Sequence, residues 1–250
     1  MKILLLDLET APSLVHVWGL WQQNVSINQI QQAGYTLCWS AKWFGEDGVM
    51  FDSLQHSRPA DMVGSMHRLL DEADVVVHYN GKKFDIPTLN KEFLLHGLPP
   101  PAPYKQVDLL ETMRNKFRFS SNKLDFVAQQ LGLGEKTHHK GHELWTGCMN
   151  GNAADWAIME EYNRNDVVLL EKLYKTLLPW IGNHPNRGLY GDDHAVCPTC
   201  GGKHHQKRGY AHTIHGKYQR YQCTSCGGWF RDAKQLIKRP GGQEERFSNV

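Results

Sequence analysis

The chain has 250 residues, enough for one ordinary domain and a smaller one, and its 40% hydrophobic content with eight tryptophans excludes a disordered protein. Its net charge of +2 hides an asymmetry: from His184 onward there are 11 Lys and Arg against 5 Asp and Glu, whereas the rest has 17 basic and 21 acidic residues. This predicts a basic C-terminal module that can hold a polyanion, beside an acidic body that needs cations to approach one.

The first predicted element is a buried strand, Lys2–Leu8, a short apolar run that ends in carboxylates. The run is too short for a signal peptide, and no stretch of the chain has the roughly 20 apolar residues of a membrane helix. We therefore expect a cytoplasmic protein without membrane association. Two further strands follow, an alternating one at Tyr35–Phe44 and a shorter one at Val49–Ser53.

Strands and helices then alternate. The remaining predicted elements are a helix at Ala60–Ala73, a strand at Asp74–Tyr79, a helix at Ile86–His96, a short strand at Lys105–Leu110, and helices at Leu124–Leu131 and Asp155–Leu178. Three consecutive strands followed by strands interleaved with helices predict an α/β fold, with a mixed five-stranded sheet and helices packed on it.

Composition divides the chain into four segments. Residues 1–182 form the predicted α/β domain, and the Gly-, Asn- and Pro-rich residues 183–193 form a linker. Residues 194–240 contain four cysteines and form a small second module, and residues 241–250 are predicted to be a flexible tail.

Five side chains in the first domain form a candidate catalytic set. Asp7 and Glu9 occupy alternate positions at a strand end and point to the same face. Asp85 lies at a strand-to-helix junction, and Tyr162 and Asp166 are four residues apart on one helical face. Each part of the set has a structural alternative. The two strand acids could be surface acids that begin a loop, the junction acid could be an N-cap, and the helical pair could be a hydrogen-bonded tyrosine and carboxylate.

Taken together, the four carboxylates point to metal. Without a cation they would repel one another and raise one another's pKa, so a core built for stability alone has little reason to contain them. Carboxylate oxygens are the ligands that Mg²⁺ or Mn²⁺ prefers. Two such ions placed close together cleave phosphodiesters by activating a water and stabilising the leaving oxygen.

The three motifs that carry these residues resemble a known family. The sequence D-L-E-T at 7–10, Y-N-G-K-K-F-D at 79–85 and Y-x-x-x-D at 162–166 are similar to the three motifs of the DEDD superfamily of 3′→5′ exonucleases, in its tyrosine-bearing branch. The second motif is similar to that of the proofreading domains of family B DNA polymerases. The resemblance covers about residues 2–178 and implies an RNase H-like fold. No polymerase region follows, so it implies a free-standing exonuclease.

The resemblance also implies roles for individual residues. Asp7 would bridge two Mg²⁺ or Mn²⁺ ions, Glu9 and Asp166 would complete the site of the ion that activates the nucleophile, Asp85 would hold the second ion largely through water, and Tyr162 would orient the attacking water. The residues implied to bind the substrate are Leu8, Thr10, Asn80 and Phe84, the last two at the terminal nucleotides. The expected substrate is a single-stranded 3′ end, with DNA favoured over RNA.

Other polar residues are weaker candidates. Asp108 ends the predicted strand Lys105–Leu110 and is interpreted as structural, although it could approach the site. The histidine-rich segment 137–142 lacks carboxylate or cysteine partners and is interpreted as a solvated loop that could lie near the substrate.

The four C-terminal cysteines predict a zinc ribbon. Cys197 with Cys200, and Cys223 with Cys226, form two C-x-x-C pairs, each followed by Gly-Gly, which is typical of a tetrahedral four-thiolate zinc site. The stretch from 217 to 230 resembles zinc ribbons of transposases and other DNA-handling proteins. The isolated Cys38 and Cys148 are interpreted as small buried hydrophobic residues.

The ribbon also has the composition of a nucleic-acid-binding surface. Between Cys197 and Pro240 there are nine Lys and Arg and one acid, Asp232, and aromatic residues are interleaved with the basic ones. Tyr221 and Phe230 are instead assigned to the small core of the ribbon.

Three functions stay open for the protein: a 3′→5′ exonuclease whose ribbon holds the strand, an inactive nucleic-acid-binding or recruitment protein, and a structure-selective endonuclease. A replication or recombination protein is an alternative partner for the ribbon.

Overall fold

The structure is a computed structural model that describes residues 1–191, 195–214 and 216–238. The predicted tail, 241–250, and the last two residues of the predicted linker, Asp192 and Asp193, lie outside the described residues. The chain divides into two compact units, one formed by Met1–Leu177 and the other by the chain from Leu178 onward.

A mixed five-stranded sheet forms the centre of the first unit, in the order β5-β4-β1-β6-β7. β1 pairs antiparallel with β4 and parallel with β6, which in turn pairs parallel with β7. The predicted α/β fold with a mixed five-stranded sheet is therefore confirmed. The strands of the first unit are β1 (Ile3–Thr10), β2 (Leu14–Val15), β3 (Ile30–Gln32), β4 (Thr36–Trp43), β5 (Met50–Ser53), β6 (Val75–His78) and β7 (Lys105–Asp108).

Six α-helices of the first unit connect and cover these strands. They are α1 (Pro59–Glu72), α2 (Asp85–Leu95), α3 (Leu109–Lys116), α4 (Leu124–Gln130), α5 (His142–Met149) and α6 (Ala153–Leu177). The short helices α3 and α5 were not predicted. The strand predicted to reach Leu110 ends at Asp108, because the Asp108 carboxylate accepts a hydrogen bond from the Leu110 amide (3.0 Å) and caps α3.

The sheet has a buried cluster on each face. Leu4, Leu6 and Leu8 alternate along β1 and pack in one cluster with residues of α1 and α2. The second cluster contains residues of β4, α5 and α6, including Cys38 and Cys148, whose prediction as buried thiols is confirmed. Because side chains alternate along a strand, Asp7 and Glu9 point to the opposite face from these leucines.

Residues 12–34 form an extension between β1 and β4, which we call the arm. It contains β2, β3 and a short 3₁₀ helix, Ile27–Gln29, and none of its residues is buried. At its base the Ala11 amide donates to the Tyr35 carbonyl (2.8 Å). The sequence did not predict this element.

The second unit contains a three-stranded antiparallel sheet in the order β10-β9-β8. The strands are β8 (His205–Thr213), β9 (Gly216–Cys223) and β10 (Trp229–Lys238), and two 3₁₀ turns, Leu178–Trp180 and Arg187–Leu189, precede them. Within 1–191, 195–214 and 216–238, no helix combines the length and the apolar character needed to cross a bilayer.

Candidate active site

Three of the predicted acids meet at the end of β1. Carboxylate oxygens of Asp7, Glu9 and Asp166 all lie within 4.8 Å of one another, although α6 contributes Asp166 from the far end of the domain. Asp7 and Glu9 come together because they alternate on β1, and Asp166 faces them because α6 packs across that face of the sheet.

Two side chains hold the strand acids in place. The Asn163 amide, which is fully buried, donates to Asp7 Oδ2 at 2.7 Å, and the Trp145 indole N–H donates to Glu9 Oε2 at 3.2 Å. Neither was predicted from the sequence. Asn163 directly follows Tyr162 on α6, and Trp145 lies on α5, which was itself not predicted.

Asp85 lies beside this group but not within it. It is the first residue of α2, it is buried, and its Oδ1 accepts a hydrogen bond from the Leu8 amide at 3.1 Å. This contact fixes the start of α2 against β1, between the two strand acids. The structure thus places all four predicted carboxylates around the end of β1, three in one group and Asp85 next to it.

Burial and mutual repulsion raise the pKa of these acids. Burial, followed by the neighbouring carboxylates, raises the pKa of Asp7 well above its usual value and that of Glu9 to about 8. Burial also raises the pKa of Asp85 to about 7. Such a group gains from any cation that lets all the carboxylates ionise together.

Lys136 contacts the site and was missed in the sequence. Its ammonium forms an ion pair with Asp166 Oδ2 and donates to the Tyr162 hydroxyl at 3.0 Å. Burial alone would lower the pKa of Lys136, but the Asp166 carboxylate and Tyr162 outweigh it and keep the pKa above the usual value. Lys136 precedes the histidine-rich segment in a loop without periodicity, so no sequence signal distinguished it.

One carboxylate oxygen of the site is available to coordinate a metal ion. Among the described residues, Asp166 Oδ1 is a buried oxygen without a hydrogen-bond partner, while Oδ2 is taken by Lys136. A buried carboxylate oxygen left in this way is costly unless it is coordinated. Together with the oxygens of Asp7 and Glu9, it provides the hard donor set that divalent cations such as Mg²⁺ require.

The loop before α2 is clamped by the ends of β6 and β7. The Asp108 carboxylate accepts hydrogen bonds from the amides of Asn80 (2.9 Å) and Lys82 (3.4 Å), and Nδ1 of the buried His78 accepts one from the Gly81 amide (3.1 Å). The contacts of Asp108 agree with its structural interpretation. They hold Asn80 at a φ of +69°, in the left-handed region.

The predicted substrate residues differ in exposure. Phe84 is 42% exposed, and Asn80 and Thr10 are half-buried. The Leu8 side chain is buried in the core with residues of α1 and α2, and its amide donates to Asp85. In the histidine-rich segment, the His139 ring packs edge-on against Tyr162 at 4.8 Å, so that segment does lie beside the site.

The four C-terminal cysteines form a second metal-ligand group. All four sulfurs lie within 4.8 Å of one another, and Sγ–Sγ distances are 3.8 Å for Cys197 and Cys226 and 3.6 Å for Cys200 and Cys223. A tetrahedral ion with bonds of about 2.3 Å to sulfur spaces its ligands about 3.8 Å apart. The two measured distances are therefore close to those of a tetrahedral four-thiolate site.

The two cysteine turns have matching geometry. In the first turn the Gly202 amide donates to Cys200 Sγ at 3.3 Å, and in the second the Gly228 amide donates to Cys226 Sγ at 3.4 Å. The glycine after each turn, Gly201 or Gly227, has a φ near +75°, which a side chain would disfavour. This explains why each C-x-x-C pair needs the glycines that follow it.

The ribbon sheet carries aromatic rings under cationic groups. Lys217 lies over Tyr210 (3.9 Å), and Arg220 lies over the half-exposed Trp229 (5.0 Å). Tyr221 and Phe230 stack on each other with centroids 5.5 Å apart, as expected for residues of the small core.

The comparisons with known proteins agree with this geometry. A model of the RNase_H superfamily matches residues 38–178, a range that includes Asp85, Tyr162 and Asp166 but begins after β1. A family B DNA polymerase from the hyperthermophilic archaeon Pyrobaculum calidifontis has a similar structure, with a TM-score of 0.51 and 18% sequence identity. The similarity covers 71% of this chain and 24% of the polymerase, so the chain spans about a quarter of that protein. No curated protein matches the chain significantly.

Proposed function

We propose that this chain, which belongs to the RNase H superfamily, is a free-standing, metal-dependent 3′→5′ exonuclease, with DNA as the favoured substrate. The observation that carries the proposal is the group formed by Asp7, Glu9 and Asp166, three acids from β1 and α6 whose oxygens lie within 4.8 Å of one another. The likeness in fold to a DNA polymerase supports a nucleic-acid substrate.

The acids would hold two Mg²⁺ or Mn²⁺ ions. Asp7 would serve both ions, Glu9 and Asp166 would help to hold the ion that activates the nucleophile, and Asp85 would help to hold the other ion. When bound, these ions lower the pKa of a water and neutralise charge on the phosphate. Asn163 and Trp145 keep the strand acids oriented, because each donates a hydrogen bond to one of them.

Tyr162 and Lys136 would serve the attacking water and the phosphate. The Tyr162 hydroxyl accepts a hydrogen bond from Lys136 and interacts with the Asp166 carboxylate, and in this position it would orient the attacking water. The ammonium also supplies positive charge where the scissile phosphate approaches three acids. Asn80 and Phe84, at the other side of the site, would contact the terminal nucleotides.

Degradation of labelled oligonucleotides tests this proposal. With Mg²⁺ or Mn²⁺, a 5′-labelled DNA strand should shorten stepwise from its 3′ end, a 3′-blocked strand should resist, and an RNA strand should be cut more slowly. Cutting of a circular single strand would instead identify an endonuclease. No hydrolysis of any substrate with either metal would leave the recruitment function as the better explanation.

The four cysteines would bind one structural Zn²⁺, since thiolates prefer zinc over magnesium, and the ribbon would hold the nucleic acid. The support for this role is the excess of Lys and Arg in the ribbon and the exposed aromatic rings beside them.

Removal of residues from Asn183 onward should leave hydrolysis of a short strand intact at low salt. The affinity of the truncated protein for a long strand should decrease less steeply with salt concentration, because fewer counterions are released on binding. An unchanged slope would assign the ribbon to a protein partner, such as a replication or recombination protein.

A further inference from the structure

The arm exposes large apolar side chains to an unusual degree. Trp18 is 101% exposed and Trp21 is 85% exposed, and Leu20 and Ile27 are exposed to a similar extent. Isolated exposed apolar residues are ordinary, but several on one short extension mark an interaction site. The arm is therefore a candidate binding site.

Hydrogen bonds hold the arm in a defined shape. The His16 amide donates to the Gln29 carbonyl (2.9 Å), and the Gln29 side chain donates back to the His16 carbonyl (2.9 Å) while accepting from the Ser26 amide (2.8 Å). At the base, Lys91 of α2 donates to the Gly34 carbonyl at 2.8 Å. These bonds close the base of the arm, and the two indoles lie in the segment between His16 and Ser26.

The composition of the arm restricts the partner. Residues 12–34 contain no Asp, Glu, Lys or Arg, but seven Asn and Gln. A surface that grips phosphates or an anionic membrane carries Lys and Arg, so neither fits. Exposed indoles beside uncharged amides match a partner with flat apolar faces and polar, uncharged edges, and a nucleobase has this chemistry.

A hollow in the arm is also lined by apolar and uncharged polar residues. Its volume is about 540 Å³, and it is lined by Val15, His16, Val17, Trp18, Asn28 and Gln29. Trp18 supplies an indole on which a base can stack, and Asn28 supplies a side-chain amide that can pair with a base edge, whereas the amide of Gln29 is bonded within the arm.

The arm continues directly from the strand that carries the candidate catalytic acids. Ala11, at its base, lies in the same buried cluster as Tyr162. The eight residue-to-residue steps from Thr10 to Trp18 span at most roughly 29 Å even when fully extended. A strand whose 3′ end lies at Asp7 and Glu9 therefore has its next nucleotides within reach of the arm.

We propose that the arm binds single-stranded nucleic acid through its bases, which stack on Trp18 and Trp21, while the 3′ end of the strand occupies the carboxylate site. This inference rests on the proposed function for the identity of the strand. It assigns base contacts to an uncharged arm and leaves phosphate contacts to the basic residues elsewhere in the chain.

Binding of two probes in EDTA, where hydrolysis is blocked, tests the arm. The probes are an oligothymidylate and an abasic strand with the same number of phosphates. The full chain should bind oligothymidylate more tightly, and Trp18→Ala and Trp21→Ala should each weaken that binding about fivefold or more while leaving abasic binding unchanged. Trp18→Phe should retain part of the preference, because phenylalanine still stacks. Leu20→Ala is the matched control, equally exposed but aliphatic, and should bind both probes like the wild type.

The outcomes separate the arm from the nuclease. Equal binding of both probes by the wild type, or an effect of Leu20→Ala as large as that of Trp18→Ala, would overturn base stacking and indicate a hydrophobic protein-docking surface. If the wild type hydrolyses nothing, the proposed function fails, yet a base preference lost in Trp18→Ala would still support the arm.

Discussion

Replacement of Lys136 by methionine should destabilise the metal-free protein and make its stability depend more strongly on Mg²⁺. The change leaves the Asp166 carboxylate, which is 2% exposed, without its cation. Breaking a fully buried ion pair costs about 3–5 kcal/mol, and since the Lys136 side chain is 28% exposed we expect about 3 kcal/mol. For a domain of this size, that loss lowers the melting temperature by roughly 6–12 °C.

Magnesium should restore much of this loss, because a cation at Asp166 replaces the charge that Lys136 supplied. The assay is the melting temperature of wild type and Lys136→Met in EDTA and in saturating Mg²⁺, with Lys136→Arg as the control that keeps the charge. The double variant Lys136→Met/Asp166→Asn removes both charges and should melt above Lys136→Met in EDTA. A gap between wild type and Lys136→Met that is the same in EDTA and in Mg²⁺ would refute the reasoning.

Three other changes have defined outcomes. Asp7→Ala should abolish release of nucleotides from a 5′-labelled strand, whereas Tyr162→Phe should slow it only about 10²-fold, as for a side chain that positions a proton; equal loss in both would contradict the assigned roles. Metal analysis should find about one zinc per chain, and its chelation should expose the ribbon to proteolysis while hydrolysis of short strands persists; four cysteines paired as disulfides would exclude the zinc site. Gly81→Ala should cost about 1–3 kcal/mol in urea unfolding, since its Cβ would lie 2.3 Å from His78 Cγ. Gly64→Ala, whose Cβ meets no described atom within 4 Å, is the control and should not destabilise.

The sequence predicted those parts of the fold that depend on local pattern. The apolar run before Asp7, the alternation of Asp7 with Glu9 and the four-residue spacing of Tyr162 and Asp166 are each readable from the residues. Those positions do lie on β1 and α6, and the carboxylates of Asp7, Glu9 and Asp166 meet.

The remaining features depend on contacts between distant segments. Asp108 ends a strand and caps a helix at once, so the predicted strand ran two residues too far. Lys136 lies in a loop 30 residues before its partner Asp166, and only the packing of α6 reveals the pair. The arm has neither helical nor strand periodicity over most of its length, because it has no buried face to impose one.

The hydrogen bond between Asn163 and Asp7 joins two residues 156 positions apart. During synthesis β1 leaves the ribosome well before α6, so Asp7 and Glu9 remain without Asp166 until most of this domain has been translated. A partly made chain would lack Asp166, Tyr162 and Asn163 together, and its paired strand acids would have no third ligand. Under the proposed function, a chain that stops early, or whose last helix fails to pack, would therefore not cleave nucleic acids, and hydrolysis would report that the domain is complete.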